Sequence, residues 1–272
     1  NGCIGTGYLN LFAYAVPELE FTAEAVCQNE GPTVFENTST IDIGYIATWI
    51  WEFEDGMTSG LENPAYNFAS SGEYEIELIG VSEHGCSDTI INTALVRALP
   101  FAEFEIDNPV ICGNECVELN SMAFSPTATI TSLEWSTTYG HEGYGETVEF
   151  CFENYDFETN YFDVQLIASD NFGCSDTLIA EDLIKTLPTP KAAFTTNPDE
   201  INLLNPVVDF VNLSLYASHY EWDFGDGSAL STEVSPTHEY MAEPEGYNVV
   251  LYAFNNTEKE CVDTAMKNIK IL

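Results

Sequence analysis

The chain has 272 residues, of which 45 are Asp or Glu and 6 are Lys or Arg, for a formal net charge of −39. Such a surface repels phosphate backbones and anionic lipid, which excludes nucleic acid and unaided membrane surfaces as partners. A hydrophobic content of 45% with 13% aromatics excludes a chain too polar to bury a core. No apolar run approaches the ~20 residues of a membrane helix, so direct membrane insertion is not expected.

The sequence repeats itself. Cys3, Cys86, Cys174 and Cys261 are 83, 88 and 87 residues apart, Pro17, Pro100 and Pro188 are 83 and 88 apart, and Trp51, Trp135 and Trp222 are 84 and 87 apart. A period this long exceeds that of a solenoid unit and suits a small domain, so each repeat is expected to fold alone. Taken in chain order, residues 1–16 align with the terminal segments beginning at Gly85, Gly173 and Glu260, and read as the last strand of a preceding or partner domain. Whole domains follow at 17–99, 100–187 and 188–272. The chain opens at Asn1 without Met and without a basic, apolar leader, so either a signal has been removed or the sequence is an excerpt of something longer.

Within each domain the pattern is all-β. Thr33–Phe35, Val117–Leu119 and Val208–Phe210 alternate apolar and polar residues and end in polar stretches at Asn37, Ser121 and Asn212. A strand carrying Trp51, Trp135 or Trp222 then runs into a glycine turn, and these indoles are expected to fill the space between two sheets. Further on, Tyr74, Ile76 and Leu78 alternate with Glu73, Glu75 and Glu77; Phe162, Val164 and Leu166, and Tyr247, Val249 and Leu251, repeat the pattern. A one-residue slip would bury the glutamates, so the register is fixed and the acids form a solvated face.

These residues resemble a known family. Trp222-Asp223-Phe224-Gly225-Asp226-Gly227, Ser235-Pro236-Thr237-His238-Glu239-Tyr240 and Gly246-Tyr247-Asn248-Val249 are similar to the three marks of the polycystic kidney disease (PKD) domain. The first whole repeat keeps them as Trp51-Glu52-Phe53-Glu54-Asp55-Gly56, Asn63-Pro64-Ala65-Tyr66 and Gly72-Glu73-Tyr74, with Glu54 where Gly is usual. The middle repeat departs furthest, because Trp135-Ser136-Thr137-Thr138-Tyr139-Gly140 keeps only the Trp and the last Gly, which puts its turn in question. The resemblance implies tandem seven-stranded, immunoglobulin-like β-sandwiches without catalytic activity, used as spacers or interaction modules in extracellular proteins. The Gly-Cys-x-Asp-Thr endings further resemble secreted surface arrays of Bacteroidota, which include adhesins and appendages of type IX secretion. With joints at Leu99-Pro100 and Leu187-Pro188-Thr189-Pro190 and no Gly/Ser-rich linker, the expected architecture is a semi-rigid rod.

Eight cysteines in such a chain read as disulfides. The repeat alignment suggests Cys27–Cys86 and Cys112–Cys174, each an early cysteine with the one that begins the last strand of the same domain. Cys116 and Cys151 are extra to the middle domain and are expected to pair with each other. Cys3 and Cys261 remain for a bond to an upstream domain or between subunits. The segment 1–16 therefore has two explanations: an array that continues upstream, or a strand donated to a neighbouring copy.

Zinc is not expected, since the cysteines are dispersed and His84, His141, His219 and His238 sit in separate contexts, His238 as a structural strand residue. No cofactor is required; calcium is the one to weigh, at the turn acids Glu52, Glu54, Asp55, Asp223 and Asp226, against the alternative that the Asp of each Asp-Gly only makes a tight turn. Asp88-Thr89-Ile90, Asp176-Thr177-Leu178 and Asp263-Thr264-Ala265 resemble a short O-glycosylation acceptor of Bacteroidota, which would place sugar on Thr89, Thr177 and Thr264; alternatively these are strand entries favouring Thr. No nucleophile elbow, metalloprotease helix or phosphate loop occurs, and no residue qualifies as catalytic. Tyr139 and Tyr144 are either a partner surface in the aberrant middle domain or part of its core. The expected role is a secreted or cell-surface structural and adhesive protein, part of a filament or long adhesin. Its partners would be further repeats or neighbouring copies, with surface glycans or proteins as ligands. The alternative is the accessory stalk or substrate-binding region of a secreted hydrolase.

Overall fold

The structure, a computed structural model, describes residues 13–155, 158–201, 205–241, 246–256 and 260–271. It is all-β, with no helix among the described residues. Three sandwiches follow one another, each with its own strand set.

The first contains β1 (Phe21–Ala23), β2 (Val26–Cys27), β3 (Thr33–Asn37), β4 (Ile46–Phe53), β5 (Thr58–Ser59), β6 (Ala65–Tyr66), β7 (Gly72–Ser82) and β8 (Ser87–Arg97). The second contains β9 (Phe104–Ile106), β10 (Val110–Cys112), β11 (Glu115–Ser121), β12 (Ile130–Thr137), β13 (Glu142–Tyr144), β14 (Thr147–Phe152), β15 (Asn160–Asp170) and β16 (Ser175–Leu187). The third contains β17 (Phe194–Asn197), β18 (Glu200–Ile201), β19 (Val207–Asn212), β20 (His219–Asp223), β21 (Thr237–Glu239), β22 (Tyr247–Asn256) and β23 (Glu260–Ile271).

Each sandwich sets a three-stranded sheet against a larger one. In the first, β1-β3-β6 faces β2-β8-β7-β4-β5; in the second, β14-β11-β9 faces β10-β16-β15-β12-β13; in the third, β17-β19-β21 faces β18-β23-β22-β20. The third sandwich has no counterpart of β5 and β13 among the described residues beyond a single bridge from Trp222 to Ser231. The alternation read from the sequence decides which faces meet: Ile76, Leu78, Val164, Leu166, Val249 and Leu251 are buried, and Glu75 on the intervening position is exposed. Trp51, Trp135 and Trp222 lie at the centre of three separate cores, with Phe35, Phe53 and Leu78, with Leu119, Phe152 and Leu166, and with Phe210, Phe224 and Leu251 respectively. Each indole nitrogen donates to a carbonyl ten or eleven residues on, Leu61 (2.8 Å), Gly145 (2.9 Å) and Glu233 (2.9 Å), so the polar atom of a fully enclosed ring is satisfied.

In each of the larger sheets the short opening strand runs parallel to the last strand and pairs with its far end: Cys27 with Arg97, Cys112 with Leu187 and Ile201 with Ile271. This pairing fixes where the early cysteines sit. The chain divides into two compact units: residues up to Phe101 with Phe124–Thr131 and Ser169–Asp176, and Ala102–Ala123 with Ser132–Ala168 and the residues from Thr177 onward. The first unit thus carries the first sandwich together with loop ends of the second.

Candidate functional site

The cysteines are where the chain departs from a plain string of sandwiches. Cys27 is bonded to Cys174 and Cys112 to Cys261, across 147 and 149 residues, and Cys116 is bonded to Cys151. Cys86 carries a free, half-buried thiol. The pairings Cys27–Cys86 and Cys112–Cys174 expected within single domains are therefore incorrect, and Cys261 is held internally instead of being left for another subunit. Cys3 and the first twelve residues lie outside the described residues, as does the choice between an upstream domain and strand donation.

The reason is strand geometry. Cys27 sits beside Arg97, at the end of β8, whereas Cys86 immediately precedes the start of β8. Eleven residues of extended chain span about 36 Å, far beyond the ~4–7 Å between Cα atoms that a disulfide bridges. Cys112 beside Leu187 is farther still from Cys174. The early cysteine lies at the end of the sandwich where its last strand leaves. The late cysteine lies at the opposite end, at the start of the last strand, and there Cys174 and Cys261 meet the sandwich before theirs.

Within the first unit, the hairpin between β15 and β16 presents Cys174 to Cys27, and Arg97 lies 3.7 Å over the Phe172 ring beside it. The hairpin is shaped by Asp170, whose Oδ1 accepts from the amides of Phe172 (2.9 Å) and Cys174 (3.1 Å), and by Gly173 at a φ of 87°. Within the second unit, Cys112 and Cys261 are buried with Leu187 and Val110. There the Asn255 amide donates to the Pro188 carbonyl (3.1 Å), and the Ala192 amide to Asp263 (2.8 Å). On the chain-entropy argument each long bridge contributes roughly 5 kcal/mol, although interleaved loops make the two less than additive. Cys116–Cys151 is a cross-strand bond between directly opposed residues of β11 and β14, with Cα atoms 3.9 Å apart.

The glycine turns form a second constellation. In the first sandwich Asp55 accepts from the Met57 amide (3.1 Å) and, in a short contact, from the Tyr66 hydroxyl, whose ring stacks on Phe53. In the third, Asp226 accepts from the Ser228 amide (3.0 Å) and lies 2.8 Å from Nε2 of His238, whose ring stacks on Phe224 at 3.9 Å. The same aspartate thus clasps an aromatic residue of the opposite sheet in both. The Tyr66 hydrogen bond, with that of Met57, holds the Asp55 carboxyl below the usual carboxylate range. Burial alone would raise Asp226, but the hydrogen bonds from Ser228 and His238 outweigh it and hold that carboxyl low as well. Burial, with the Asp226 charge nearby, pushes the Tyr240 hydroxyl up, beyond any physiological titration.

In the middle sandwich the turn survives the loss of its motif. Thr137 N donates to His141 O (3.1 Å) as Phe53 N does to Met57 O (2.9 Å), and Gly140 takes a φ of 91° as Gly56 takes 85°. Tyr139 replaces the clasp aspartate and packs against Phe162 instead, with half its surface still exposed; Tyr144 is more exposed still. Of the turn acids weighed for calcium, Asp223 accepts from the Gly225 amide (2.9 Å) and Glu54 from the Glu75 amide (3.3 Å). Among the described residues, Glu52, Glu54 and Asp55, or Asp223 and Asp226, do not gather into a group of three ligands; Cys116, Glu149 and Cys151 do, but both of those sulfurs are in the disulfide. Thr89, Thr177 and Thr264 each lie three residues past a repeat cysteine, on β8, β16 and β23.

Comparison with known proteins fits this geometry. Residues 14–96 match the model of the PKD domain. A pre-pro-metalloprotease of Vibrio cholerae, PrtV, is 29% identical over 153 residues, covering 55% of this chain and 16% of that protein. A microbial collagenase of Vibrio alginolyticus is 33% identical over 70 residues, 26% of this chain and 9% of that protein. The chain thus spans under a fifth of the length of these relatives. Among solved structures, the PKD1 domain of the V. cholerae metalloprotease PrtV is 27% identical, covering 31% of this chain and 98% of that domain, with a TM-score of 0.26. Residues 14–96 thus match a type of domain that forms a small, non-catalytic accessory part of such proteases. Residues 14–96 match the PKD domain, and the chain is a tandem array of β-sandwiches of which that domain is the first.

Proposed function

We propose that the chain is a tension-bearing, non-catalytic segment of a secreted or cell-surface protein, built to hold other parts at a distance, as in a filament or long adhesin. The observation that carries this reading is the bonding of each early cysteine to the hairpin of the next sandwich, Cys27 to Cys174 and Cys112 to Cys261. A disulfide inside one sandwich protects that sandwich alone. One that joins successive sandwiches limits how far the whole array lengthens when its members unfold. Three disulfides call for an oxidising compartment, which supports placement outside the cytosol. The charge of −39 supports a solvated surface that does not self-associate laterally.

The relatives favour a second reading, an accessory region of a secreted hydrolase, since both are named as a protease or a collagenase and match only in a small part. Negative-stain imaging of material isolated from the producing cells separates them. Filaments or surface fibres containing the chain support the first reading, and globular particles in which it is joined to a hydrolytic domain support the second. Peptide or glycan hydrolysis by residues 1–272 alone would overturn both.

A further inference from the structure

We propose that Cys86 is a docking thiol: it accepts an inter-sandwich disulfide from a further PKD-type sandwich, through a cysteine placed as Cys27 and Cys112 are, at the end of the short opening strand. The partner is a sandwich other than a second folded copy of this chain, because Cys27 and Cys112 are already bonded and no cysteine lies between Cys174 and Cys261. This extends the tension-bearing reading, but its test reads the bond and not the load, so the two fail separately.

Cys86 holds the place of Cys174 and Cys261, both of which are bonded to the preceding sandwich. Its hairpin is already in the bonding shape. Ser82 N donates to Cys86 O (2.8 Å) and Gly85 N to Ser82 O (2.9 Å), as Asp170 N does to Cys174 O (2.9 Å) and Gly173 N to Asp170 O (3.1 Å). Gly85 takes a φ of 80° where Gly173 takes 87°, and Ser82 Oγ accepts from the Cys86 amide (3.1 Å) as Asp170 does from that of Cys174.

A second, independent contact also repeats. Tyr14 stacks on His84 with ring centroids 4.0 Å apart, as Arg97 lies on Phe172. Tyr14 and Arg97 each lie eleven residues past a repeat cysteine, and His84 and Phe172 each lie two residues before one. The segment leading to Pro17 therefore already meets the hairpin as β8 meets the next one, and only the thiol beside it is unpaired.

The bond forms by exchange, with glutathione disulfide or a disulfide oxidoreductase as oxidant. The incoming thiolate attacks one sulfur of the oxidant, leaving a mixed disulfide. The Cys86 thiolate then attacks the protein sulfur of that mixed disulfide, and the oxidant leaves as two thiols that carry the two protons.

The test inserts a second copy of residues 17–99 between Val16 and Pro17 of the full chain, so that Leu99-Pro17 reproduces the Leu99-Pro100 joint. The added copy carries Cys86→Ser to leave one candidate acceptor, and Glu30→Asp to mark its Cys27 peptide by mass. After refolding with reduced and oxidised glutathione, a non-reduced digest is expected to contain the marked Cys27 peptide joined to Cys86, and alkylation of Cys86 to be lost. Recovery of both as thiols or glutathione adducts would overturn the proposal. In material from the producing cells, alkylated before lysis, Cys86 is expected joined to a peptide outside residues 1–272. Cys86 found as a thiol, or joined to Cys3 or to a second Cys86, would overturn it whether or not the extended chain folds.

Discussion

The disulfide pattern sets a limit on extension that a pulling experiment reads directly. With handles at residues 1 and 272, the shortest covalent path through the oxidised chain runs from residue 1 to Cys27 and crosses to Cys174. It then returns to Cys151, crosses to Cys116, steps to Cys112, crosses to Cys261 and leaves at residue 272. Its stretches of 26, 23, four and eleven steps make about 64 residues, or roughly 240 Å at ~3.3–3.6 Å per residue with the three sulfur crossings. Full reduction frees all 271 steps, about 940 Å. Cys116→Ser removes the inner shortcut and lengthens the oxidised limit to about 350 Å. Bonds confined to single domains, Cys27–Cys86 and Cys112–Cys174, would instead leave about 150 steps and roughly 530 Å. An optical-tweezers record of the fully unfolded, oxidised chain that saturates near 530 Å, or near the reduced length, refutes the reasoning.

The same contacts set further outcomes. Cys27→Ser/Cys174→Ser lowers the denaturation midpoint of the oxidised protein by an amount corresponding to at most ~5 kcal/mol, and reducing agent no longer affects that part of the transition. Trp135→Ala removes a fully enclosed indole and its bond to Gly145 and costs about 3–5 kcal/mol in urea unfolding, whereas Tyr144→Ala at the surface shifts the midpoint little. Gly225→Ala places a Cβ 2.3 Å from the Asn248 carbonyl oxygen at a φ of +76°, and the third sandwich loses at least ~1–2 kcal/mol. Because Asp226 is held below its ordinary 3.8, it binds protons more weakly folded than unfolded, so its stabilising contribution is complete above about pH 4 and is lost as the pH falls below that. Asp226→Asn therefore lowers the melting temperature at pH 7 and flattens its fall below about pH 4; an unchanged acid limb would contradict this. With the turn carboxylates committed to amide and ring donors, chelation by EDTA leaves the melting temperature unchanged.

Much of this fold was legible because burial imposes it locally. A strand with Ile76 and Leu78 on one face and Glu75 and Glu77 on the other has one stable orientation, and a Trp before a glycine turn needs both a core and a carbonyl within reach. The retained middle turn was less visible, since Gly140 alone, by adopting a positive φ, closes the loop that elsewhere also carries an aspartate. Cysteine pairing failed for a different reason. Alignment shows which cysteines are equivalent, whereas bonding depends on which ends of two sandwiches meet. The signal was nevertheless present: a cysteine beginning a strand eleven residues long does not reach one beside that strand's end. The missing early cysteine in the third domain pointed the same way, because it leaves Cys261 available for Cys112 of the domain before it.

The central claim is that successive sandwiches are bonded to each other and not each to itself, and a disulfide map of the thiol-blocked, non-reduced chain tests it most directly. The account predicts peptides joining Cys27 to Cys174 and Cys112 to Cys261. Peptides joining Cys27 to Cys86 and Cys112 to Cys174 would contradict it.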